Sequence, residues 1–209
     1  MNQNNSLIRI GTKHLLKADK RFAHLIERFG YPDISEKNDY YNALAKSIIY
    51  QQLSGKAAGT IYSRVLNVCG KADKLNPDVI IDTPVDVLRS AGLSTAKTRY
   101  IKALSESHLD GGLLPRDPKE MTNLEISESL TKIKGIGQWT ADMFLIFVLV
   151  RPDILPLTDL GIKKGFAVFF GLNDLPDEKY MLKKASKWKP YRSIASWYLW
   201  EIVDNDFSW

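Results

Sequence analysis

The stretch that decides the fold reads Leu130-Thr-Lys-Ile-Lys-Gly-Ile-Gly-Gln-Trp-Thr-Ala-Asp142. Apolar residues recur at helical spacing on both sides of its centre, over Glu125–Ile133 and Trp139–Val150. Gly135 and Gly137 interrupt this pattern and permit a tight turn with positive φ. The stretch therefore predicts a helix, a short hairpin and a second helix.

This hairpin has the composition of an anion-binding site. The amides of the turn, together with the N-terminus of the helix from Trp139, would point at one anion, and Lys132 and Lys134 add positive charge. On nucleic acid such a clamp holds a phosphate irrespective of base sequence. A plain turn between two helices also favours glycine, but the whole Lys-Gly-Ile-Gly-Gln-Trp-Thr-Ala run between amphipathic helices favours a DNA contact.

Helical periodicity continues along the rest of the chain, and alternating strand patterns are nearly absent. Further helices are predicted over Lys17–Phe29, Asp39–Tyr50, Thr95–Leu109, Asp159–Phe170, Glu178–Lys187 and Tyr191–Val203. With about ten helices joined by short Pro/Gly turns, we predict an all-α, two-lobed helical bundle with a cleft between the lobes. We expect a single domain over 1–209, with lobe one over about 53–147 and lobe two over about 1–52 plus 148–209.

Composition excludes several classes of protein. The 209 residues include 29 Lys+Arg and 24 Asp+Glu, and the formal charge of +5 permits an anionic partner. A single cysteine, Cys69, excludes a disulfide framework and any multi-cysteine zinc or iron–sulfur site. The first ten residues have no apolar signal segment, and the longest apolar run, Met143–Val150, is too short to cross a bilayer. We expect an intracellular monomer that does not bind membranes.

The hairpin stretch resembles the helix-hairpin-helix of the DNA base-excision glycosylase superfamily, with the pattern L-x-x-[IL]-x-G-[IV]-G-x-[WK]-T-A. About twenty residues further on, that family has an aspartate in a Pro/Gly/Asp context, and Ile154-Leu-Pro-Leu-Thr-Asp-Leu-Gly-Ile-Lys-Lys164 places Asp159 there. The segment Lys187–Trp200 is similar to the closing helix of the family. The similarity extends from Tyr40 to Trp200 and is greatest to the 3-methyladenine DNA glycosylase II branch in a short, all-helical form.

Asp159 is the candidate catalytic residue. It follows Pro156 at the start of a predicted helix, where the helix dipole favours an ionised carboxylate. A capping role alone is common for such an aspartate and stays open from the residues. The resemblance implies that Asp159 also stabilises positive charge on deoxyribose as the N-glycosidic bond breaks, and that it orients or deprotonates the attacking water.

Trp139 stands where relatives that also cleave the DNA backbone have a lysine that forms a Schiff base. Tryptophan has no amine, so the resemblance implies a monofunctional enzyme that leaves an abasic site. The indole would stack on a flipped base, most strongly on a cationic alkylated purine, although a core tryptophan is the alternative. By resemblance, Trp200 lines the base pocket, and Met143 lies where a pocket aromatic occurs in relatives.

The segment Ile48–Ala58 matches the wedge loop of the family, and its candidate intercalating residues, Gln51–Leu53, are called the wedge loop below. A side chain of this loop fills the gap left when a nucleotide rotates out of the duplex. Gln52 falls at the matching position, with Gln51 and Leu53 beside it; a simple turn between two helices is the alternative.

The DNA phosphate clamp implied by the resemblance comprises Lys134, Gly135, Ile136, Gly137 and Thr140. A structural Na⁺ or K⁺ ion held by the backbone of Ile133 and Ile136 is the one cofactor that the resemblance suggests.

These residues predict a monofunctional DNA glycosylase that flips out and excises alkylated purines, such as 3-methyladenine and 7-methylguanine, from double-stranded DNA. Such an enzyme is expected in the cytoplasm or nucleoid of a prokaryote, or in the nucleus of a eukaryote. A catalytically silent lesion-binding protein of the same fold would keep every DNA-contact motif and is the alternative. A sequence-specific transcription factor fits less well, because Phe144–Val150 is apolar where base-reading polar residues would stand.

Overall fold

The computed structural model describes residues 3–203, in which twelve α-helices and one pair of short strands form. The helices are α1 (Gln3–Ala18), α2 (Phe22–Phe29), α3 (Tyr40–Tyr50), α4 (Gly55–Cys69), α5 (Pro77–Asp82), α6 (Val85–Ser90), α7 (Thr95–Leu109), α8 (Asn123–Thr131), α9 (Gln138–Phe147), α10 (Leu160–Phe170), α11 (Glu178–Ala185) and α12 (Arg192–Val203). Strands β1 (Gly70–Lys71) and β2 (Lys74–Leu75) pair antiparallel. The predicted all-α class is confirmed. No helix over the described residues is long and apolar enough to span a bilayer.

Side-chain caps set several helix starts; the cap at Ser94 was predicted, whereas α8 begins two residues before the predicted Glu125. The Ser94 side chain accepts a hydrogen bond from the backbone N–H of Lys97 at 3.2 Å, and α7 covers the predicted range. Thr122 and Glu125 form a reciprocal capping box at the start of α8, each satisfying a backbone N–H of the other. These local bonds explain why the helical boundaries could be read from the sequence.

One predicted helix, Lys17–Phe29, is divided in the structure. The Asp19 carboxylate accepts hydrogen bonds from the Arg21 backbone N–H at 3.2 Å and from its guanidinium at 2.7 and 2.9 Å. A side chain that bonds the backbone two residues ahead favours a turn over a continuing helix. The chain therefore ends α1 at Ala18 and begins α2 at Phe22.

The chain divides into two units. The terminal unit contains residues up to Glu36 and from Leu145 onward, and the central unit is Lys37–Phe144. The predicted boundary placed residues 37–52 with the terminal helices, and this was wrong. Helix α3 buries the apolar stripe that includes Tyr41 and Ile48, and it packs against α4 and α7 of the central unit.

An aromatic cluster forms the core of the terminal unit. Trp188 is fully buried, and its ring lies 5.2 to 5.6 Å from those of Phe22, Phe166 and Phe169. The Tyr198 hydroxyl donates to the carbonyl oxygen of Gly30 at 2.7 Å and so ties α12 to the end of α2. This core fixes α10 and α12, the two helices that carry the candidate catalytic residues.

Candidate functional site

Asp159 caps α10 in the terminal unit, as predicted. Its Oδ1 atom accepts a hydrogen bond from the backbone N–H of Ile162 at 2.7 Å. The same oxygen accepts the indole Nε1–H of Trp200 at 2.9 Å. These two donors and the positive end of the α10 dipole stabilise a negative charge on this oxygen.

Trp200 reaches Asp159 because α10 and α12 approach each other closely at two glycines. A Cβ atom on Gly165 would lie 2.4 Å from the carbonyl oxygen of Leu199, and one on Gly161 would lie 2.9 Å from Trp200 Cδ1. Neither position has room for a larger residue. Glycines four apart share one face of a helix, and this spacing is a sequence signal that our sequence analysis missed.

Trp200 is buried, with 4% of its surface exposed. Its ring lies 5.5 Å from the ring of Phe147, and its N–H is directed at the carboxylate of Asp159. This tryptophan was predicted to line a base pocket. In the structure it holds the candidate catalytic residue.

The loop that leads to Asp159 is tied to the first turn of α12. The Arg192 guanidinium donates to both carboxylate oxygens of Asp153, at 2.6 and 3.0 Å. The buried Ser193 hydroxyl donates to the carbonyl oxygen of Arg151 at 2.6 Å and accepts the backbone N–H of Ile154 at 2.9 Å. Helix α12 thus holds this loop at one end and Asp159, through Trp200, further along.

In the central unit the predicted hairpin joins α8 to α9. Gly135 has φ +94°, and a Cβ atom there would lie 2.2 Å from Cγ of Tyr100. The Ile136 backbone N–H closes the turn onto the carbonyl oxygen of Ile133 at 3.0 Å. Ile136 is buried, whereas Lys134 and Gly137 are exposed. The first turn of α9 follows at once, and first-turn amides have no acceptor within their own helix.

The residues predicted within α9 differ in exposure. Trp139 is half-buried and retains surface for a ligand. Met143, predicted as a pocket residue, is 2% exposed and contributes almost no accessible surface. Thr140, predicted in the clamp, is 3% exposed, and its hydroxyl accepts a hydrogen bond from the Gln51 side chain at 3.3 Å. The Thr140 hydroxyl therefore faces the protein interior.

The three wedge-loop residues have different environments. The Gln51 side-chain amide is hydrogen-bonded to the hairpin and to α9. Its Nε2 donates to the carbonyl oxygen of Gly135 at 3.1 Å and to the Thr140 hydroxyl. Gln52 is exposed and has φ +57°, a left-handed conformation that is rare for residues other than glycine. Leu53 is 40% exposed. Gln52 and Leu53 are therefore exposed, whereas Gln51 is half-buried and hydrogen-bonded to the hairpin.

An open groove of about 480 Å³ lies between the wedge loop and the hairpin within the central unit. Its lining includes Gln51, Gln52, Lys97, Tyr100 and Gly135–Gly137. Two of these residues were not predicted from the sequence: Lys97 and Tyr100, both on α7. They lie three residues apart on one helix face, but nothing in the sequence pairs them with segments 35 to 48 residues distant.

The structure therefore groups the predicted residues in two places. Asp159 and Trp200 are hydrogen-bonded in the terminal unit. The hairpin and the wedge loop adjoin in the central unit, joined through Gln51. Within residues 3–203 no cluster of three His, Cys, Asp or Glu side chains has the arrangement of a metal site.

Comparison with proteins of known sequence shows similarity along most of the chain. DNA-3-methyladenine glycosylase 1 of Schizosaccharomyces pombe is 35% identical over 193 residues, which cover 90% of this chain and 84% of that protein. The alkylbase DNA glycosidase-like protein mag2 of the same yeast is 34% identical, with 91% of both chains covered.

Solved structures of 3-methyladenine DNA glycosylases are also similar to this chain. The S. pombe 3-methyladenine DNA glycosylase in complex with abasic DNA superimposes with a TM-score of 0.82 at 32% identity, covering 95% of this chain and 99% of that one. A DNA-3-methyladenine glycosidase from Bacillus halodurans superimposes with a TM-score of 0.80 at 36% identity, covering 92% and 88%. The sequence profile of the HhH-GPD superfamily matches residues 45–190, which contain the hairpin, the wedge loop and Asp159. The chain belongs to the HhH-GPD superfamily of base excision DNA repair proteins.

Proposed function

We propose that this protein is a monofunctional DNA glycosylase that excises alkylated purines, such as 3-methyladenine and 7-methylguanine, from double-stranded DNA. The observation that carries the proposal is the Asp159 carboxylate, fixed by the N-terminus of α10 and the Trp200 indole. The names of the similar yeast and bacterial proteins support the same substrate class.

The chemistry requires little beyond an oriented carboxylate. As the bond between C1′ and the purine nitrogen breaks, its electron pair leaves with the base. A purine alkylated at N3 or N7 carries a positive charge and departs neutral, so no proton donor is needed. The Asp159 carboxylate stabilises the positive charge that develops on the sugar. A water molecule then adds to C1′ and gives its proton to Asp159, which leaves an abasic site.

The absence of an amine at position 139 supports the monofunctional assignment. A backbone-cleaving glycosylase forms a Schiff base between an amine and C1′ of the sugar. Trp139 supplies an indole instead, and its half-exposed ring is suited to stack on a cationic base. The protein would therefore release the damaged base without cleaving the DNA strand.

DNA is held through its backbone and opened by the wedge loop. The exposed hairpin residues Lys134 and Gly137 and the first-turn amides of α9 would hold a phosphate, and Gln52 would enter the duplex as the damaged nucleotide leaves it. These parts all come from one chain, and we propose that it acts as a monomer.

A Na⁺ or K⁺ ion at the hairpin would be held by the backbone carbonyls of Ile133 and Ile136. Hard cations take oxygen ligands of this kind. The Ile133 carbonyl accepts the Ile136 N–H at 3.0 Å, and a carbonyl oxygen has a second lone pair for such an ion. The ion would reinforce the positive potential at the phosphate.

Product analysis tests the proposal. Duplex DNA treated with a methylating agent is incubated with excess enzyme, and free bases and strand breaks are measured separately. We expect release of 7-methylguanine and 3-methyladenine, with strand breaks appearing only after alkali. Strand scission without alkali, or a borohydride-trapped covalent adduct, would contradict the monofunctional assignment. Tight binding to abasic DNA without base release would instead identify a lesion-binding protein.

A further inference from the structure

Lys97 on α7 caps the C-terminal end of α3, directly before the wedge loop. Its ammonium group donates to the carbonyl oxygen of Ile49 at 2.7 Å and to that of Gln51 at 2.6 Å. Carbonyls at a helix C-terminus lack partners within the helix, and a cation is favoured there. Lys97 is half-buried, and this burial lowers the pKa of its ammonium group.

Gln51 connects the same loop to the hairpin. Its backbone carbonyl accepts from Lys97, while its side-chain amide donates to the Gly135 carbonyl at 3.1 Å and to Thr140 Oγ1 at 3.3 Å. One residue is thus bonded to α7 through its backbone and to the hairpin through its side chain. These bonds connect the wedge loop to both the hairpin and α7.

Helix α7 also supports the hairpin directly. Tyr100 lies one turn after Lys97 and contacts Gly135 closely, since a Cβ atom at that glycine would lie 2.2 Å from Tyr100 Cγ. Lys97 and Tyr100, which make these contacts, are three residues apart and lie on the same face of α7. One rigid helix therefore sets the spacing between the wedge loop and the phosphate-binding hairpin.

Gln52 lies at the end of this chain of contacts in a strained conformation. A φ of +57° is unfavourable for glutamine and persists only where the surrounding structure imposes it. The bonds from Lys97 to the carbonyls on either side of Tyr50 fix the backbone immediately before Gln52. Gln52 is exposed in this conformation, next to the residues that Lys97 bonds.

We propose that Lys97 is a positioning residue that, through Gln51, couples the wedge loop to the hairpin, so that phosphate binding and insertion of Gln52 occur as one event. The proposal rests on the proposed glycosylase function and adds a residue to it. Loss of the Lys97 ammonium would release Gln52 without altering the hairpin amides. Nucleotide rotation would then slow while the affinity for the DNA backbone stays unchanged.

Lys97→Met tests this coupling, with Lys102→Met as the matched control. Lys102 lies on the same helix and makes the same type of bond, donating from Nζ to the Ile81 carbonyl of α5 at 2.6 Å. Insertion is followed by the fluorescence of 2-aminopurine placed beside a tetrahydrofuran abasic site in duplex DNA. Base release is followed under single-turnover conditions, and affinity for the DNA backbone is measured by titration of an undamaged duplex of the same length.

For Lys97→Met we expect the rate of base release and the 2-aminopurine signal to fall about tenfold, with the dissociation constant changing less than about threefold. Lys102→Met should resemble the wild type, and Lys97→Arg, which restores a cationic donor, should recover most of the signal. Equal losses in Lys97→Met and Lys102→Met, or a loss of affinity as large as the loss of rate, would overturn the coupling. If wild-type protein releases no base, the proposed function fails, whereas the fluorescence comparison still decides the role of Lys97.

Discussion

The indole N–H of Trp200 and the backbone N–H of Ile162 donate to the same oxygen of Asp159, at 2.9 and 2.7 Å. One donor comes from α12 and the other from α10, so the carboxylate is oriented by both helices. The close approach of the helices at Gly161 and Gly165 makes this arrangement possible. A buried tryptophan, 41 residues along the chain, is therefore part of the geometry of the candidate catalytic residue.

Trp200→Phe should slow base release because it removes the indole donor and keeps an aromatic ring. A carboxylate that loses the Trp200 donor samples unproductive orientations, and we expect the single-turnover rate to fall about tenfold or more. The control is Trp197→Phe on the same helix, a half-buried ring that packs on Tyr198. Equal rates of base release for the two variants would show that the Trp200 indole does not orient the Asp159 carboxylate for catalysis.

Gly135→Ala and Gly137→Ala should separate folding from DNA binding. Position 135 has φ +94° and no room beside Tyr100, so alanine there should destabilise the fold by roughly 1–3 kcal/mol. At position 137 a Cβ atom meets nothing within 4 Å, and we expect wild-type thermal stability but weaker binding to abasic duplex. Thermal melts and DNA titrations measure the two effects. Full DNA affinity in Gly137→Ala would argue against a phosphate at the hairpin.

Ser193→Ala should destabilise the loop that leads to Asp159. The substitution removes a donor to Arg151 and leaves the backbone N–H of Ile154 without its acceptor, which costs about 1–3 kcal/mol for a buried group. Urea unfolding measures the change. Ser90→Ala, in which an exposed hydroxyl loses its bond to the Asp86 carbonyl, serves as the control and should change stability little. Similar values for both serines would contradict the role assigned to Ser193.

Asp19 should make stability depend on pH in the acid range. Burial opposes its charge, but hydrogen bonds from Arg21 and Lys187 outweigh this and lower its pKa to about 2. The stabilisation is therefore complete above the ordinary value of 3.8 and is lost as the pH falls toward 2. Because both cationic partners are over two-fifths exposed, we expect Asp19→Asn to lower the unfolding free energy at pH 7 by about 1–2 kcal/mol.

Urea unfolding of wild-type protein and Asp19→Asn between pH 7 and pH 2 measures this dependence. The difference between them should shrink below pH 4. The control is Arg116→Gln, which breaks the exposed ion pair with Glu125 and should have little effect at any pH. A difference that persists unchanged to pH 2 would show that the Asp19 charge is not responsible.

Local signals in the sequence predict much of the fold and part of the site. The N-cap at Asp159 and the turn at Gly135 depend on neighbouring residues, and both are found where predicted. Other bonds join positions more than 40 residues apart. Lys97 bonds the end of α3, and Trp200 bonds Asp159. No periodicity encodes such pairs, because they depend on how the helices pack. The division of the predicted Lys17–Phe29 helix similarly depends on a specific Asp19 turn that competes with helical periodicity.

In the proposed mechanism, the carboxylate of Asp159 performs chemistry beyond capping α10. Asparagine also caps helices, so Asp159→Asn should keep the fold while losing the charge. Asp177→Asn is the matched control, since Asp177 caps α11 by accepting the Tyr180 backbone N–H at 2.7 Å.

The most direct measurement is single-turnover release of 7-methylguanine from methylated duplex DNA by the wild type and these two variants. We predict that Asp159→Asn loses at least about a hundredfold in rate while still binding abasic duplex, and that Asp177→Asn retains the wild-type rate. Base release by Asp159→Asn at the wild-type rate would show that Asp159 is only a helix cap.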